Sequence, residues 1–149
     1  MPETTKKHPL LTEYERCAAC AACSLSQGRH NAVYGVGPSD AKIMFVGEGP
    51  GEQEDLLGEP FVGRSGRLLD QLLGSVGLSR RENVYICNIV KCRPPNNRNP
   101  LPSEQDACMP FLREQVRLVS PKLIICLGLV AAKKLIDPDI RMGADHGVF

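Results

Sequence analysis

Lys42-Ile-Met-Phe-Val-Gly-Glu-Gly-Pro-Gly51 is an apolar run that stops abruptly in a glycine-rich turn. It reads as a buried strand delivered into a tight loop. Working outward, Val84-Tyr-Ile-Cys-Asn-Ile-Val90 is a second apolar strand and Leu123 to Leu127 a third buried one. Between the first two, Ser65 is placed to cap a helix whose leucines at 68, 69, 72 and 73 form one apolar stripe ending before Gly77. Between the second and third, Ser103 opens a helix to about Leu118, with Glu104 and Asp106 in its positive first turn and Pro110 expected to kink or interrupt it. A short helix follows from Leu129 to Ile136. Strand and helix alternating three times is the pattern of a mostly parallel sheet covered on both faces and reached by right-handed crossovers, an α/β sandwich of three layers. Ligands bind such sheets beyond the carboxyl ends of the strands. The glycine loop and the segment Arg93 to Pro102, with its four prolines and three asparagines, both fall at that edge.

The 149 residues, 42% hydrophobic, suffice for one domain with a real core, and residues 1–149 are read as that domain behind a flexible or helical tail over residues 1–16. The net charge of +1 carries no global polyanion signal, so contact with nucleic acid must come from local clusters of Lys and Arg. Neither a secretory leader nor an apolar run of spanning length occurs, so a cytoplasmic protein with no membrane partner is expected.

Seven cysteines in such a chain point to metal or cluster ligation rather than to disulfides. Cys17, Cys20 and Cys23 stand at metal-ligand spacing near the start, and Cys92 and Cys108 are the distant partners that would close a centre. Cys87 and Cys126 sit inside apolar strands and read as small buried hydrophobes. Spacing alone does not separate zinc from iron-sulfur, nor say which of the first three cysteines is spare.

The loop Gly47-Glu-Gly-Pro-Gly51 can present backbone N–H groups to an anion, yet it matches neither the dinucleotide fingerprint nor the phosphate loop; a plain tight turn is the simpler alternative. Glu48, Glu52, Glu54 and Asp55 put four carboxylates within eight positions, either a solvated face or a source of one acid-base or metal-binding group. Phe61, one of seven aromatics, lies in the loop Gly58-Glu-Pro-Phe-Val-Gly63, where a flat ring either stacks on a base or packs into the core. Lys91, Arg93 and Arg98 fall within eight positions that hold no acid and read as a phosphate-binding patch beside Asn96, Asn97 and Asn99.

Taken together, Val46-Gly-Glu-Gly-Pro-Gly-Glu-Gln-Glu-Asp55, Pro60-Phe-Val-Gly63 and Asn88-Ile-Val-Lys-Cys-Arg-Pro-Pro95, with Asn97-Arg98 behind, resemble the type-4, iron-sulfur uracil-DNA glycosylases. The resemblance runs from about Cys20 to Phe149. It implies a DNA-repair hydrolase that cuts the N-glycosidic bond of uracil in single- or double-stranded DNA and leaves an abasic site, acting as a monomer. It also implies a 4Fe-4S cluster on Cys20, Cys23, Cys92 and Cys108, with Cys17 extra, stapling the N-terminal segment to a loop. Phe61 would stack on a flipped-out uracil, and the Asn88 amide would read its Watson-Crick edge, accepting from N3–H and donating to O4. Gly47, Glu48 and Gly49 would line the pocket.

Two departures accompany the resemblance. Aligned on Pro50, the water-orienting Asp and the methyl-excluding Tyr of better-known uracil-DNA glycosylases are replaced by Gly49 and Gly51, which leaves Glu48 as the carboxylate available to help catalysis. The later His-Pro motif of the family is not met before Phe149, and His146 is followed by Gly147. A C-terminally truncated chain is therefore expected, one that keeps its cluster and some DNA affinity but has little glycosylase activity. A non-catalytic iron-sulfur module that binds nucleic acid, or an inactive fragment, is the alternative, with a zinc-binding structural domain behind it.

Overall fold

The computed structural model describes residues 8–147. Residues 1–7 of the expected tail, and Val148 and Phe149, lie outside them. Three short strands, β1 (Ile43–Gly47), β2 (Val84–Asn88) and β3 (Leu123–Cys126), form one sheet in the order β2-β1-β3, with both pairings parallel. Alternation along the strands divides the apolar side chains between two cores, because successive residues of a strand face opposite sides. Met44, Val46, Tyr85 and Cys87 pack with Met109, Leu112, Val119 and Ala131 on one face. Phe45, Val84 and Ile86 pack with Leu73, Leu69 and Leu78 on the other. Both faces are thus covered, as the three-layer reading requires.

Helices occupy the connections. α1 (Pro9–Ala18) and α2 (Leu25–Gly28) precede the sheet, α3 (Glu52–Leu57) and α4 (Arg64–Ser75) join β1 to β2, α5 (Pro102–Val119) joins β2 to β3, and α6 (Leu129–Leu135) and α7 (Met142–Asp145) follow. Among the described residues no helix is long and apolar enough to cross a membrane.

Several local expectations are corrected. Helix α4 starts after Gly63 rather than at a Ser65 cap, and its leucines do not form one stripe: Leu73 is buried, whereas Leu68 and Leu72 are exposed. Leu69 and Leu73 pack into the core while Leu68 and Leu72 do not, because adjacent helix positions point about 100° apart. Helix α5 runs unbroken through Pro110, and its N-terminus is held by the Glu104 carboxylate, which accepts the Leu101 backbone N–H at 2.7 Å. Strand β3 is only half-buried, with Ile124 exposed, because it lies at the sheet edge with no second strand beside it among the described residues. The opposite edge, on β2, is protected: Val36 and Ile86 exchange backbone hydrogen bonds at 2.8 and 2.9 Å, an antiparallel bridge that caps the ladder.

The chain before β1 is tied to α3 by a buried carboxylate. Asp55 accepts the backbone N–H of His30 at 2.9 Å and of Asn31 at 3.3 Å, and pairs with His30 Nδ1 at 2.7 Å. Burial pushes this carboxyl up, but the His30 ring and the two N–H donors outweigh it and hold it below its ordinary value of 3.8. A carboxyl depressed in the folded state stabilises the fold above its unfolded pKa and loses that contribution as pH falls through the folded value. Asp55→Asn should therefore cost about 1–3 kcal/mol at neutral pH, as expected for a charged hydrogen-bonding group. In thermal melts against pH, the gap between parent and variant should close below pH 3.8; a gap constant into strong acid would exclude this role for Asp55.

Candidate nucleobase cleft and cysteine cavity

The parallel register sets Gly47 beside Asn88 at the carboxyl ends of β1 and β2. Above them opens a cleft of about 960 Å³, lined by Glu48, Gly49, Pro50, Phe61, Arg64, Asn88, Asn97 and Arg98 among others. Gly47 is the floor. A Cβ there would stand 2.6 Å from Asn88 Oδ1 and closer still to the ring carbon Cζ of Phe61, so the ring and the amide reach this point only because the residue has no side chain. Gly49 is confined in the same way by Val90, at 2.8 Å from a built Cβ.

Asn88 is 1% exposed, and its Oδ1 has no hydrogen-bond partner among the described residues. A buried acceptor left unmatched costs about 1–3 kcal/mol, so one facing a cleft is poised for a ligand donor. Phe61 sits at φ 53°, a left-handed conformation uncommon outside glycine. Strain of this kind gathers at functional sites. Glu48 lines the cleft together with Glu52 and Glu54, and burial raises its pKa above the ordinary 4.5. The acidic run does not act as one group. Glu54 turns to the Phe61 loop, where Oε1 accepts the N–H groups of Val62 and Gly63, both at 3.2 Å, and Asp55 serves His30 and Asn31.

The basic loop is only partly what its sequence suggested. Lys91 is 1% exposed, with Nζ donating to the Asn88 carbonyl at 2.8 Å and to Gln115 Oε1 at 2.6 Å beneath the Tyr34 ring, so it is not a surface phosphate contact. Arg98 lines the cleft but is engaged by both oxygens of Glu104, at 2.8 and 3.0 Å. Arg93 donates to Asn97 Oδ1 at 2.7 Å in an exposed setting. Sequence reasoning placed Glu54 only in the acidic run and missed Arg80 altogether; both hold the Phe61 loop, Arg80 through the carbonyls of Pro60 and Phe61, and neither role belongs to a pattern of residue types.

Behind the cleft, Cys17, Cys20, Cys23, Cys92 and Cys108 line one small cavity together with Arg29 and Lys91. α1 brings the first, the following turn the next two, the loop after β2 Cys92, and α5 Cys108. Three of the sulfurs accept N–H donors: Cys92 from Arg29 Nη1 at 3.1 Å, Cys108 from the Lys91 backbone at 3.3 Å, and Cys20 from the Ala22 backbone at 3.4 Å. Burial pushes the thiol pKa of Cys17 up to about 12 and that of Cys108 up to about 11. Among the described residues no three His, Cys, Asp or Glu side chains converge closely enough to hold a single metal ion. The donor set is nonetheless all thiol, carries no carboxylate, and is surrounded by N–H donors of the kind that tune thiolate clusters; a cluster also needs its ligands wider apart than one ion does. Cys87 is fully buried in β2, as expected, whereas Cys126 is partly exposed on the edge strand.

The chain matches the family model described as the uracil DNA glycosylase superfamily over residues 34–147. It is 54% identical over 123 residues to a type-4 uracil-DNA glycosylase of Thermotoga maritima, covering 83% of this chain and 64% of that protein. Similar proteins of the same description occur in Archaeoglobus fulgidus, at 52% over 77% of this chain and 57% of the relative, and in Sulfurisphaera tokodaii, at 49% over 80% and 54%. The chain thus spans between about half and two thirds of the length of these curated relatives.

Because Gly47 admits no Cβ, Gly47→Ala should displace the Phe61 ring or the Asn88 amide and lower affinity for a uracil-bearing oligonucleotide. Overpacking of this kind costs about 1–3 kcal/mol. Gly74→Ala, in a position with open space around it, is the control and should leave affinity unchanged. Equal affinity of both variants in fluorescence anisotropy would remove Gly47 from the site.

Proposed function

The chain belongs to the uracil-DNA glycosylase superfamily, and from that premise we propose that it is a base-excision repair enzyme that hydrolyses the N-glycosidic bond of uracil in single- or double-stranded DNA, leaving an abasic site. The observation that carries the reading is the buried acceptor without a partner on Asn88, a residue that lines the cleft together with Phe61. A uracil turned out of the helix supplies what this acceptor lacks: Oδ1 takes N3–H, and the amide NH₂ donates to O4. Cytosine presents the reverse pattern and is rejected. Extrusion costs a few kcal/mol, offset in part by stacking on Phe61.

In the reaction, water oxygen bonds to the sugar C1′ as the bond from C1′ to N1 breaks, and the electron pair leaves with uracil. Glu48 is the one carboxylate of the cleft floor loop positioned to take the water proton, which returns to the uracil anion. Gly47 and Gly49 keep backbone close to the base, where N–H groups stabilise developing negative charge more effectively than solvent does. Arg93 and Arg98 contribute positive charge for the phosphates, with Arg98 positioned through Glu104. Cys20, Cys23, Cys92 and Cys108 are the proposed ligands of a 4Fe-4S cluster, with Cys17 beside them. When bound, the cluster would supply a structural staple between α1, the loop after β2 and α5, steadying the segment that carries Asn88 at one end and Arg98 at the other.

Three outcomes are expected. Asn88→Asp keeps the acceptor but loses the donor to O4, and should lose about 1–3 kcal/mol of uracil discrimination; undiminished discrimination would misplace the pocket. Anaerobically purified protein should be brown with about four irons per chain. Cys20→Ser, Cys23→Ser, Cys92→Ser and Cys108→Ser should bleach it while Cys126→Ser does not, and stoichiometric zinc without iron would defeat the ligand assignment. Finally, Glu48 must be ionised to accept a proton, so uracil release should fall in acid with a midpoint above 4.5, the ordinary carboxyl value. That limb should vanish in Glu48→Gln, whose residual rate is low and flat; an unchanged profile would acquit Glu48.

A further inference from the structure

The carbonyl oxygens of Pro60 and Phe61 converge on one buried guanidinium. Arg80, in the turn between α4 and β2, is 5% exposed. Its Nη1 donates to Pro60 O at 2.5 Å and its Nη2 to Phe61 O at 2.7 Å. Two further donors meet acids: Nε donates to Asp70 at 2.9 Å and Nη1 approaches Glu59 at 3.4 Å. Only a planar fork with five N–H groups meets two adjacent carbonyls and two carboxylates at once, and a lysine ammonium does not.

These carbonyls belong to the strained part of the cleft. Phe61 is held at φ 53°, and a residue persists in that region only where its surroundings leave it no alternative. Two further constraints act on the same turn. A Cβ on Gly66 would collide with the Phe61 carbonyl, so the first turn of α4 lies directly against it, and Glu54 holds the next two N–H groups. The Phe61 side chain projects from this clamped backbone onto Gly47, while Arg80 is not among the residues lining the cleft.

We infer that Arg80 is a positioning residue for base recognition: its guanidinium, gripping the carbonyls of residues 60 and 61, fixes the left-handed turn that lays the Phe61 ring over the cleft floor. The inference rests on the reading of Phe61 as the stacking ring. It separates Arg80 from an ordinary buried ion pair, whose loss would lower stability without acting through Phe61.

A double-mutant cycle distinguishes the two, because residues that act through one another do not contribute independently. The 149-residue chain, as parent, Phe61→Ala, Arg80→Gln and the double variant, is titrated in fluorescence anisotropy with a labelled single-stranded oligonucleotide bearing one uracil and with its cytosine counterpart. Melting temperatures are recorded alongside, and the readout is the ratio of the two affinities. Phe61→Ala should lower that ratio by about 5- to 150-fold, the range of one stacked base. Arg80→Gln should lower it by a comparable or smaller factor in the parent and by none in the Phe61→Ala background. Should Arg80→Gln not fold, Arg80→Lys takes its place: an ammonium reaches one carbonyl rather than two, so a smaller loss is expected, again absent without Phe61. An unchanged ratio on altering Arg80, or the same factor with and without Phe61, overturns the inference alone. An unchanged ratio in Phe61→Ala, or a parent that does not distinguish uracil from cytosine, overturns the reading of the cleft and the inference with it.

Discussion

A strand pairing that places Gly47 level with Asn88 decides what the carboxyl edge of this sheet can hold, since it sets a residue without a side chain against a buried amide. Had β1 slipped by one residue, Val46 would stand level with Asn88 and compete with the Phe61 ring and the Asn88 amide for space, because a shift of one position exchanges the two faces of a strand. The apolar packing on both faces makes such a slip costly: Met44 and Val46 belong to one core and Phe45 to the other. Register, core and cleft are consequently a single arrangement. The same parallel ladder that buries β1 leaves its last residue open to a flat ring.

Keeping that opening functional requires polar groups to be buried in a small domain, where each unmatched one costs as much as a sizeable fraction of net stability. The structure meets most of this demand with paired groups behind the cleft. Lys91 is satisfied by the Asn88 carbonyl and Gln115, whose NH₂ in turn donates to Tyr34 O at 2.7 Å and to the Tyr85 hydroxyl at 3.0 Å. Glu104 is satisfied by Arg98 and a backbone N–H. The Asn88 Oδ1 is left without a partner, on a residue that lines the cleft. The Tyr34 hydroxyl is the other buried group without a partner among the described residues, but Asn88 is the one that lines the cleft, and an acceptor held by packed neighbours loses little freedom when a donor arrives.

The cysteine cavity joins segments that the sheet does not. α1 touches the other elements mainly through α5. Five sulfurs from four separate segments meet there with Arg29, whose guanidinium bonds both Cys92 and the Ala18 carbonyl at 2.9 Å. Since Cys92 lies four residues beyond Asn88, whatever fixes the sulfurs also limits how far the floor of the cleft can move.

The amino-acid sequence by itself determined the three apolar runs, their parallel pairing, the glycine loop at the strand ends and the grouping of the cysteines, because these depend on local periodicity, residues of special backbone freedom and spacing. The fate of single charges was decided only in the tertiary structure. Lys91 looked like a phosphate contact beside Arg93, yet the side chains of Tyr34 and Gln115, remote in sequence, enclose it. Arg80 is one arginine among many by composition and becomes a clamp because the turn after α4 passes under residues 60 and 61. The leucines of α4 divided, and β3 stayed half-exposed, for a related reason: a helix stripe or a strand is buried only as far as another element covers it. Pattern announces which residues are able to be inside. Which of them are inside, and which polar group each buried charge meets, follows from where distant segments come to rest against one another.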